Sequence, residues 1–380
     1  MEPFNTGGKE ARYAAILPRL LAHDIDVDVY TMNWWHDRRR VHQHEGLAMH
    51  ALCPALPLYS GSRRSIRQAV VFALASLRLL FRRFDVVEAD AIPFVQLFPL
   101  AAMARLRRRP FLVTWHEVWG RDYWVEYLGP LGRVAAWLEG RAARLPDLII
   151  ATSQDTGDRV RALRPPGSED AVIVVPPGLS RAEVDAVRPD PEVGEILSVG
   201  RLLPNKNVHL VIEALAVLHE RGRPVRLTVV GRGPELPRLT SLVAERGLQG
   251  AVDFREHVAD RADLLALMAG ARVLAFPSVR EGFGMVALEA LACGLPVVTS
   301  DHEDNYARRL VTDGVTGRTC PATSSSLAEA LAEVMDRHDE MSPKAREAVA
   351  DHDWDHLAAQ VAGAVRRLHR ERLGARGGTS

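Results

Sequence analysis

The stretch Glu195-Ile-Leu-Ser-Val-Gly-Arg-Leu-Leu-Pro-Asn-Lys-Asn207 is a short apolar run followed by a turn rich in glycine, proline and cations. It leads into Val208 to Arg221, where apolar residues recur at helical spacing, and then into a second apolar run, Arg226-Leu-Thr-Val-Val230. Both runs are apolar almost throughout instead of alternating, as strands are when helices cover both faces of a parallel sheet. The same unit recurs in both directions. Further runs are Phe111 to Trp115, Asp147 to Thr152, Ala171 to Val175, Arg272 to Phe276 and Pro296 to Thr299, with helical patterns over Glu235 to Arg246, Asp260 to Ala269 and Gly284 to Cys293. Strand–helix alternation over the whole length predicts an α/β chain built of doubly wound sheets.

A length of 380 residues suggests two such domains. Proline and polar residues gather from Pro176-Pro177-Gly178 to Arg188-Pro189-Asp190-Pro191, where neither helix nor central strand can continue. The expected division is therefore 1–185, 186–345 and a C-terminal segment 346–380 that ends in a glycine-rich tail. Two Rossmann-like domains would face each other across a cleft, since open parallel sheets bind ligands beyond the carboxyl ends of their strands. The opening Met1 to Glu10 has the character of a loop after a strand. A first strand is thus expected to be missing, with the true start upstream.

Composition narrows the class. The 48 basic residues balance 48 acidic ones, so no global field draws the chain to nucleic acid. Cys53, Cys293 and Cys320 are the only cysteines, too few for a disulfide framework and not at metal-ligand spacing, which fits the cytoplasm. No apolar run is long enough to span a bilayer. Lys9, Lys206 and Lys344 are the only lysines among many arginines, and a lysine that survives such a bias is a candidate for chemistry.

Four segments carry candidate chemistry. In Ser278-Val-Arg-Glu-Gly-Phe-Gly284, a strand is expected to pass through a loop bearing Glu281 into a helix that starts at Gly284 and stops at Gly294. Glycines there let a ligand approach the backbone, and the free N–H groups of a helix start suit phosphate or sugar oxygens. Glu281 and Glu289 could accept from ligand hydroxyls; the bland alternative is two solvated carboxylates. In Gly200-Arg201-Leu-Leu-Pro-Asn-Lys206-Asn207, two cations precede a helix that Asn207 is expected to cap, a potential diphosphate clamp or two solvated loop charges. Gly7 and Gly8 precede another helix but lack the full dinucleotide pattern. His116 follows the run Phe111 to Trp115, at a strand end where ligands bind, and is either a ligand contact or a satisfied structural histidine. Trp119, Tyr123, Trp124 and Tyr127 then form either a platform for an acceptor or packing between helices.

Together these segments resemble the GT-B glycosyltransferases of the family 4 type, most specifically in the second half. Glu281 and Glu289 match the family's glutamate pair, Arg201 and Lys206 its diphosphate-binding pair, Gly231-Arg-Gly-Pro-Glu235 a following turn and Gly314-Val-Thr-Gly317 a late loop. Gly7 and Gly8 match its first loop. The resemblance implies that Glu281 holds donor-sugar hydroxyls, with Gly282, Phe283, Gly284, Met285 and Val286 beside it. Glu289 would hold the ribose diol, Gly200, Arg201, Lys206 and Gly231 would surround the diphosphate, and His257 and Val258 would lie beside the nucleobase. His116 would contact the donor sugar. Glycine is common at the position of Asn207. The last helix, near Trp354 to Leu373, would pack back across to the first domain.

The implied reaction is retaining transfer of a sugar from a nucleotide diphosphate sugar to a hydroxyl acceptor, free or membrane-linked, with no metal and no other cofactor. His116, Glu281, Arg201 and Lys206 are the expected catalytic set. The alternatives are a nucleotide-sugar epimerase or phosphorylase on the same scaffold, or a non-catalytic nucleotide-sugar-binding protein. Between Arg38 and Arg109 lie thirteen arginines against four acidic residues. With the apolar run Ala69 to Phe81, they suggest either peripheral contact with anionic membrane or an ordinary sheet-covering helix with a solvated basic face.

Overall fold

The computed structural model describes residues 8–35, 39–60, 63–256, 258 and 260–377. The chain divides into two compact units, Met1–Gly178 with Trp354–Ser380, and Leu179–Asp353. The divisions thus fall after Gly178 and Asp353, where the sequence placed them after 185 and 345.

The first unit contains α1 (Gly8–Leu21), β1 (Asp28–Asn33), β2 (Val41–His44), β3 (Leu47–Pro54), the short hairpin β4 (Tyr59–Ser60) and β5 (Arg63–Arg64), α2 (Ile66–Ser76), β6 (Val87–Asp90), α3 (Leu97–Leu106), β7 (Phe111–Trp115), α4 (Gly120–Leu128), α5 (Gly132–Ala142), β8 (Leu148–Ala151), α6 (Gln154–Leu163) and β9 (Val172–Val174). The strands β6-β7-β8-β9 form one parallel sheet, while β1-β3-β2 form a separate sheet in which β1 and β3 are parallel and β2 is antiparallel to β3. One doubly wound sheet was expected here. Among the described residues β1 pairs only with β3 and β6 only with β7, so the strands divide into two sheets that share one apolar cluster, with Met32, Leu52, Val87 and Val113 in it. The expectations about Met1 to Gly7 lie outside the described residues.

The second unit contains α7 (Arg181–Ala186), β10 (Ile196–Val199), α8 (Val208–Glu220), β11 (Leu227–Val230), α9 (Leu236–Glu245), β12 (Val252–Arg255), α10 (Arg261–Gly270), β13 (Val273–Phe276), α11 (Met285–Ala292), β14 (Val297–Ser300), β15 (Gly317–Cys320), α12 (Ser324–Asp336) and α13 (His338–Ala348). Its six strands are all parallel, in the order β12-β11-β10-β13-β14-β15. Successive side chains point to opposite faces of a strand. Ile196, Val273 and Ala275 accordingly join the cluster under α8, α9 and α12, while Leu197, Leu274 and Phe276 join the one under α10 and α11. With both faces covered, polar side chains are costly in the four inner strands, which is why β10, β11, β13 and β14 are largely apolar without alternation. The strand order reverses between β10 and β13, the topological switch point at which such sheets open a crevice.

The last helix, α14 (Trp354–Gly377), belongs to the first unit. Its docking is polar as well as apolar: Arg19 Nε meets Asp355 Oδ1 at 2.5 Å, Arg372 meets Asp147 at 3.0 Å, and Leu357 and Trp354 press on Gly178.

Candidate active site

The crevice at the switch point is built from the carboxyl ends of β10 and β13. A small open pocket there is lined by Gly200, Arg201, Lys206, Phe276, Pro277 and Ser278, among others. Backbone crowding fixes its floor. A Cβ on Gly231 would stand 1.9 Å from the Gly200 carbonyl oxygen, so only glycine lets the ends of β10 and β11 approach this closely. The Val279 amide donates to the Asn205 carbonyl at 3.0 Å, tying the two crevice loops together.

Asn207 departs from its expected role. It lies in the left-handed region (φ 53°) and makes no side-chain cap to α8. Its Nδ2 donates instead to the Pro277 carbonyl at 3.1 Å. Asparagine tolerates this backbone conformation better than most residues, which accounts for its presence at a position where glycine is common. Lys206, one residue earlier, sits 5.4 Å above the Phe276 ring and donates to Glu281 Oε1. Arg201 is exposed at the rim.

Glu281 is held by its backbone. Its amide donates to the Asp304 carbonyl at 3.0 Å, and its carbonyl accepts from the Tyr306 amide at 3.1 Å. That loop is anchored by the fully buried Asn305, which donates to Thr299 Oγ1 and the Ser300 carbonyl and accepts from the Ala307 amide. Phe283 stacks on Tyr306 with centroids 5.4 Å apart. Gly284, at φ 93°, precedes α11, and a Cβ on it would stand 2.7 Å from the Ala307 Cβ. The amides of Met285 and Val286 open α11, where the first N–H groups of a helix have no partner within it. Gly294 (φ 77°) ends the helix as expected from the sequence.

Glu289 is buried inside α11, 5% exposed. Burial pushes its carboxyl up, and Arg261 opposes the shift. Arg261 donates to Glu289 Oε1 at 2.7 Å and to Glu183 Oε2 at 3.0 Å. Val258 packs against the same apolar cluster as Phe283. His257 and Gly7 lie outside the described residues.

The second unit therefore brings Gly200, Arg201, Lys206, Gly231, Glu281 and the start of α11 to one end of one sheet, with Glu289 one turn further on. Three residues of this crevice were missed by sequence reasoning. Ser278 is 1% exposed, lines the pocket, and its Oγ has no hydrogen-bond partner among the described residues. A buried hydroxyl without a partner is costly unless a ligand or water completes it. Asn305 and Arg261 are the others, and both support a glutamate of the pair.

His116 belongs to the first unit, at the carboxyl end of β7. Its Nε2 lies 3.1 Å from Asp90 Oδ2. Asp90 Oδ1 receives Lys9 Nζ at 3.4 Å and the Ile92 amide at 2.8 Å. Burial alone would raise the Asp90 carboxyl, but Lys9, His116 and the Ile92 amide outweigh it and hold it far below the usual carboxylate range. Glu88, two residues away on the same face of β6, accepts from Thr114 Oγ1 at 2.7 Å, and burial pushes its carboxyl up. The buried Arg12 guanidinium donates to the Pro176 carbonyl and is lowered to about 10 by burial. Gly8 is the first residue of α1, and Lys9 in its first turn is already engaged by Asp90. The aromatic residues after His116 pack together. Trp119 lies 4.7 Å from Tyr123 and 4.5 Å from Trp124, and the buried Glu139 accepts from the Trp119 and Gly120 amides and Trp124 Nε1.

Residues 6–183 match the family model described as Glycosyltransferase Family 4, and residues 182–352 the one described as Glycosyl transferases group 1. A glycogen synthase of Mycobacterium tuberculosis is 33% identical over 301 residues, 76% of this chain and 71% of its own. A GDP-mannose-dependent phosphatidylinositol monomannoside mannosyltransferase of Mycolicibacterium smegmatis is 31% identical over 254 residues, 61% of this chain and 62% of its own. Among solved structures, sucrose-phosphate synthase from Thermosynechococcus elongatus superposes with a TM-score of 0.77 at 21% identity, covering 96% of this chain and 94% of that one. Anabaena HepE in complex with UDP and glucose superposes at 0.71 and 20% identity, covering 96% and 98%. The fold is GT-B. The chain belongs to the glycosyltransferases of the family 4 type.

Proposed function

We propose that the protein is a retaining, metal-independent hexosyltransferase that moves a sugar from a nucleoside diphosphate to a hydroxyl acceptor. The observation that carries this reading is the convergence of Arg201, Lys206, Glu281 and the unpartnered Ser278 hydroxyl on the crevice where the strand order reverses. HepE, which shares the fold, is described with UDP and glucose bound. Arg201 and Lys206 face the diphosphate, whose charge grows as the glycosidic C–O bond breaks. Fixed cations and helix amides aimed at that developing charge lower the barrier without reorganising. Glu281 accepts from donor-sugar hydroxyls, and Glu289 from the ribose diol. His116 contacts the transferred sugar, its ring oriented by Asp90. The acceptor oxygen attacks the anomeric carbon on the face the phosphate leaves. The bond from that carbon to the phosphate oxygen breaks, and the departing phosphate takes the acceptor's proton. We place the reaction in the cytoplasm, where the three free thiols persist; burial pushes Cys293 up to about 12 and Cys320 up to about 11, so neither is a ready thiolate.

The test is a screen of UDP-, GDP- and dTDP-sugars by thermal shift, followed by NMR of the sugar released or transferred. A ligand at 100 times its Kd stabilises by about 2.7 kcal/mol, well within detection. Transfer or slow hydrolysis with the anomeric configuration kept supports the reading. An inverted product, or activity abolished by a metal chelator and restored by a divalent ion, overturns the corresponding part.

A further inference from the structure

The helix α2 and the 3₁₀ turns that continue it, Leu77–Phe81, carry apolar residues on both faces. Leu79 and the small Ala69, Ala73, Ala75 and Ser76 are buried, and Val71, Phe72 and Leu80 pack against the core. A second set of large apolar residues points to solvent: Ile66 is 67% exposed, Leu74 63% and Phe81 86%, with Val70 and Leu77 also exposed. These five recur at intervals of three or four, so they form one stripe. A helix that merely covers a sheet turns its large apolar side chains inward, and a contiguous exposed apolar stripe marks an interaction surface.

The rim of the stripe is cationic. Between Ile66 and Phe84 the sequence holds Arg67, Arg78, Arg82 and Arg83 and no acidic residue, and all four arginines are exposed. Arg78 donates to the Leu52 carbonyl, which seats its stem beside the helix. The carboxyl end of α3 comes up alongside: Arg107 donates to the Leu80 carbonyl and stands 5.8 Å over the Phe84 ring, and the neighbouring Leu106 is 73% exposed. The next acidic residue along the chain, Asp85, is paired with Arg109 at 2.9 Å.

We infer that this face docks on the surface of an anionic lipid bilayer, the apolar stripe entering the headgroup boundary while the arginines meet lipid phosphates. Large apolar side chains with a cationic rim are what such a surface requires. Of the two readings the sequence left open, the solvated basic face does not describe this helix, because its outer surface is apolar at the centre and basic only at the edge. No described helix is long and apolar enough to cross a membrane, so the contact is peripheral.

Cosedimentation of the full chain with vesicles tests this, using phosphatidylcholine alone and an equimolar mixture with phosphatidylglycerol, each at low and high salt. The expected result is sedimentation with the anionic vesicles at low salt and little with the neutral ones. Arg82→Ser with Arg83→Ser should weaken anionic binding by about thirtyfold, from two basic residues near the surface. Leu74→Gln with Phe81→Gln should weaken it by about tenfold through lost apolar insertion. Both pairs are exposed, so thermal unfolding should match the parent and show that the fold is intact. Absence of sedimentation with anionic vesicles, or unchanged sedimentation of the Leu74/Phe81 variant, overturns the proposal. So does a lipid-free dimer in analytical ultracentrifugation that the same variant dissolves, since a second copy would then cover the face. None of these residues belongs to the donor crevice, so the outcome leaves the transfer reaction to be judged by its own assay.

Discussion

Lys206 and Glu281, 75 residues apart in sequence, are joined directly, the ammonium donating to the carboxylate across the loops that leave β10 and β13. Both side chains are mostly buried, 17% and 13% exposed, so each is the other's main compensation. A donor that brings a diphosphate to the lysine and sugar hydroxyls to the glutamate replaces one charged contact by two. Lys206→Ala should therefore cost nucleoside diphosphate affinity by about 10- to 100-fold, the range of a hydrogen bond to a charged group. Glu281→Gln should spare most diphosphate affinity but lower transfer. Calorimetric titration of UDP and GDP beside turnover separates the two. Equal losses of diphosphate affinity in both variants would contradict the division of roles.

Gly284 tests the backbone of the crevice. At φ 93° and with a Cβ landing 2.7 Å from the Ala307 Cβ, alanine there meets both torsional strain and a clash. Gly284→Ala should destabilise the second unit by about 1–3 kcal/mol and weaken donor binding. A Cβ added to Gly250 would meet nothing within 4 Å, and its φ is not positive, so Gly250→Ala is the control and should change Tm little. Differential scanning calorimetry of the pair decides it, and a Gly284→Ala protein as stable as the control would refute the strain argument.

Asp90 predicts an acid dependence in the first unit. Its carboxyl is harder to protonate in the folded protein than in the unfolded chain. Stability from it is therefore fully present above the unfolded value of about 3.9 and is lost as pH falls toward the folded value. Asp90→Asn should cost on the order of 2 kcal/mol at neutral pH, with the gap to the parent closing below about pH 4. Urea unfolding at several pH values measures the gap; a gap that stays constant down to about pH 3 would mean that packing, and not the charge, is responsible.

Arg261 should govern how Glu289 meets a ribose. It opposes the upward push of burial on that carboxyl. In Arg261→Met the carboxyl is expected to rise further, so that nucleotide affinity falls as pH drops through the raised value and recovers on the alkaline side. A 2′-deoxynucleotide, which lacks one diol hydroxyl, should bind the parent about tenfold more weakly than the ribonucleotide. That preference should shrink in the variant at low pH. An unchanged preference at every pH would detach Arg261 from recognition of the diol.

The four inner strands of the second unit were legible almost to the residue, because a strand buried on both faces has no room for polar side chains: Arg272 to Phe276 was expected and Val273–Phe276 is found, whereas β12 and β15, at the two ends of the sheet, carry charged residues and were not among the expected runs. The glycines and charges of the crevice were legible as motifs at strand ends. Their supports were not. Asn305, Arg261 and Asp90 act on Glu281, Glu289 and His116 from distant parts of the sequence, and no local pattern announces such a partner. Asp90 could have been suspected from Val87-Glu-Ala-Asp90, where acids alternate within a strand that is otherwise apolar. Asn207 was expected to cap by its side chain and instead supplies a left-handed backbone, a choice made by the Pro277 carbonyl beyond the helix.

The return of α14 to the first unit has a consequence for synthesis. Residues 179–353 form one continuous segment, whereas the first unit is split, with its closing helix encoded after the second unit. On the ribosome the second unit can complete its sheet while α1 still waits for the helix that brings Asp355 to Arg19. The unit begun earlier is thus finished later, and emergence of α14 is the event that completes it.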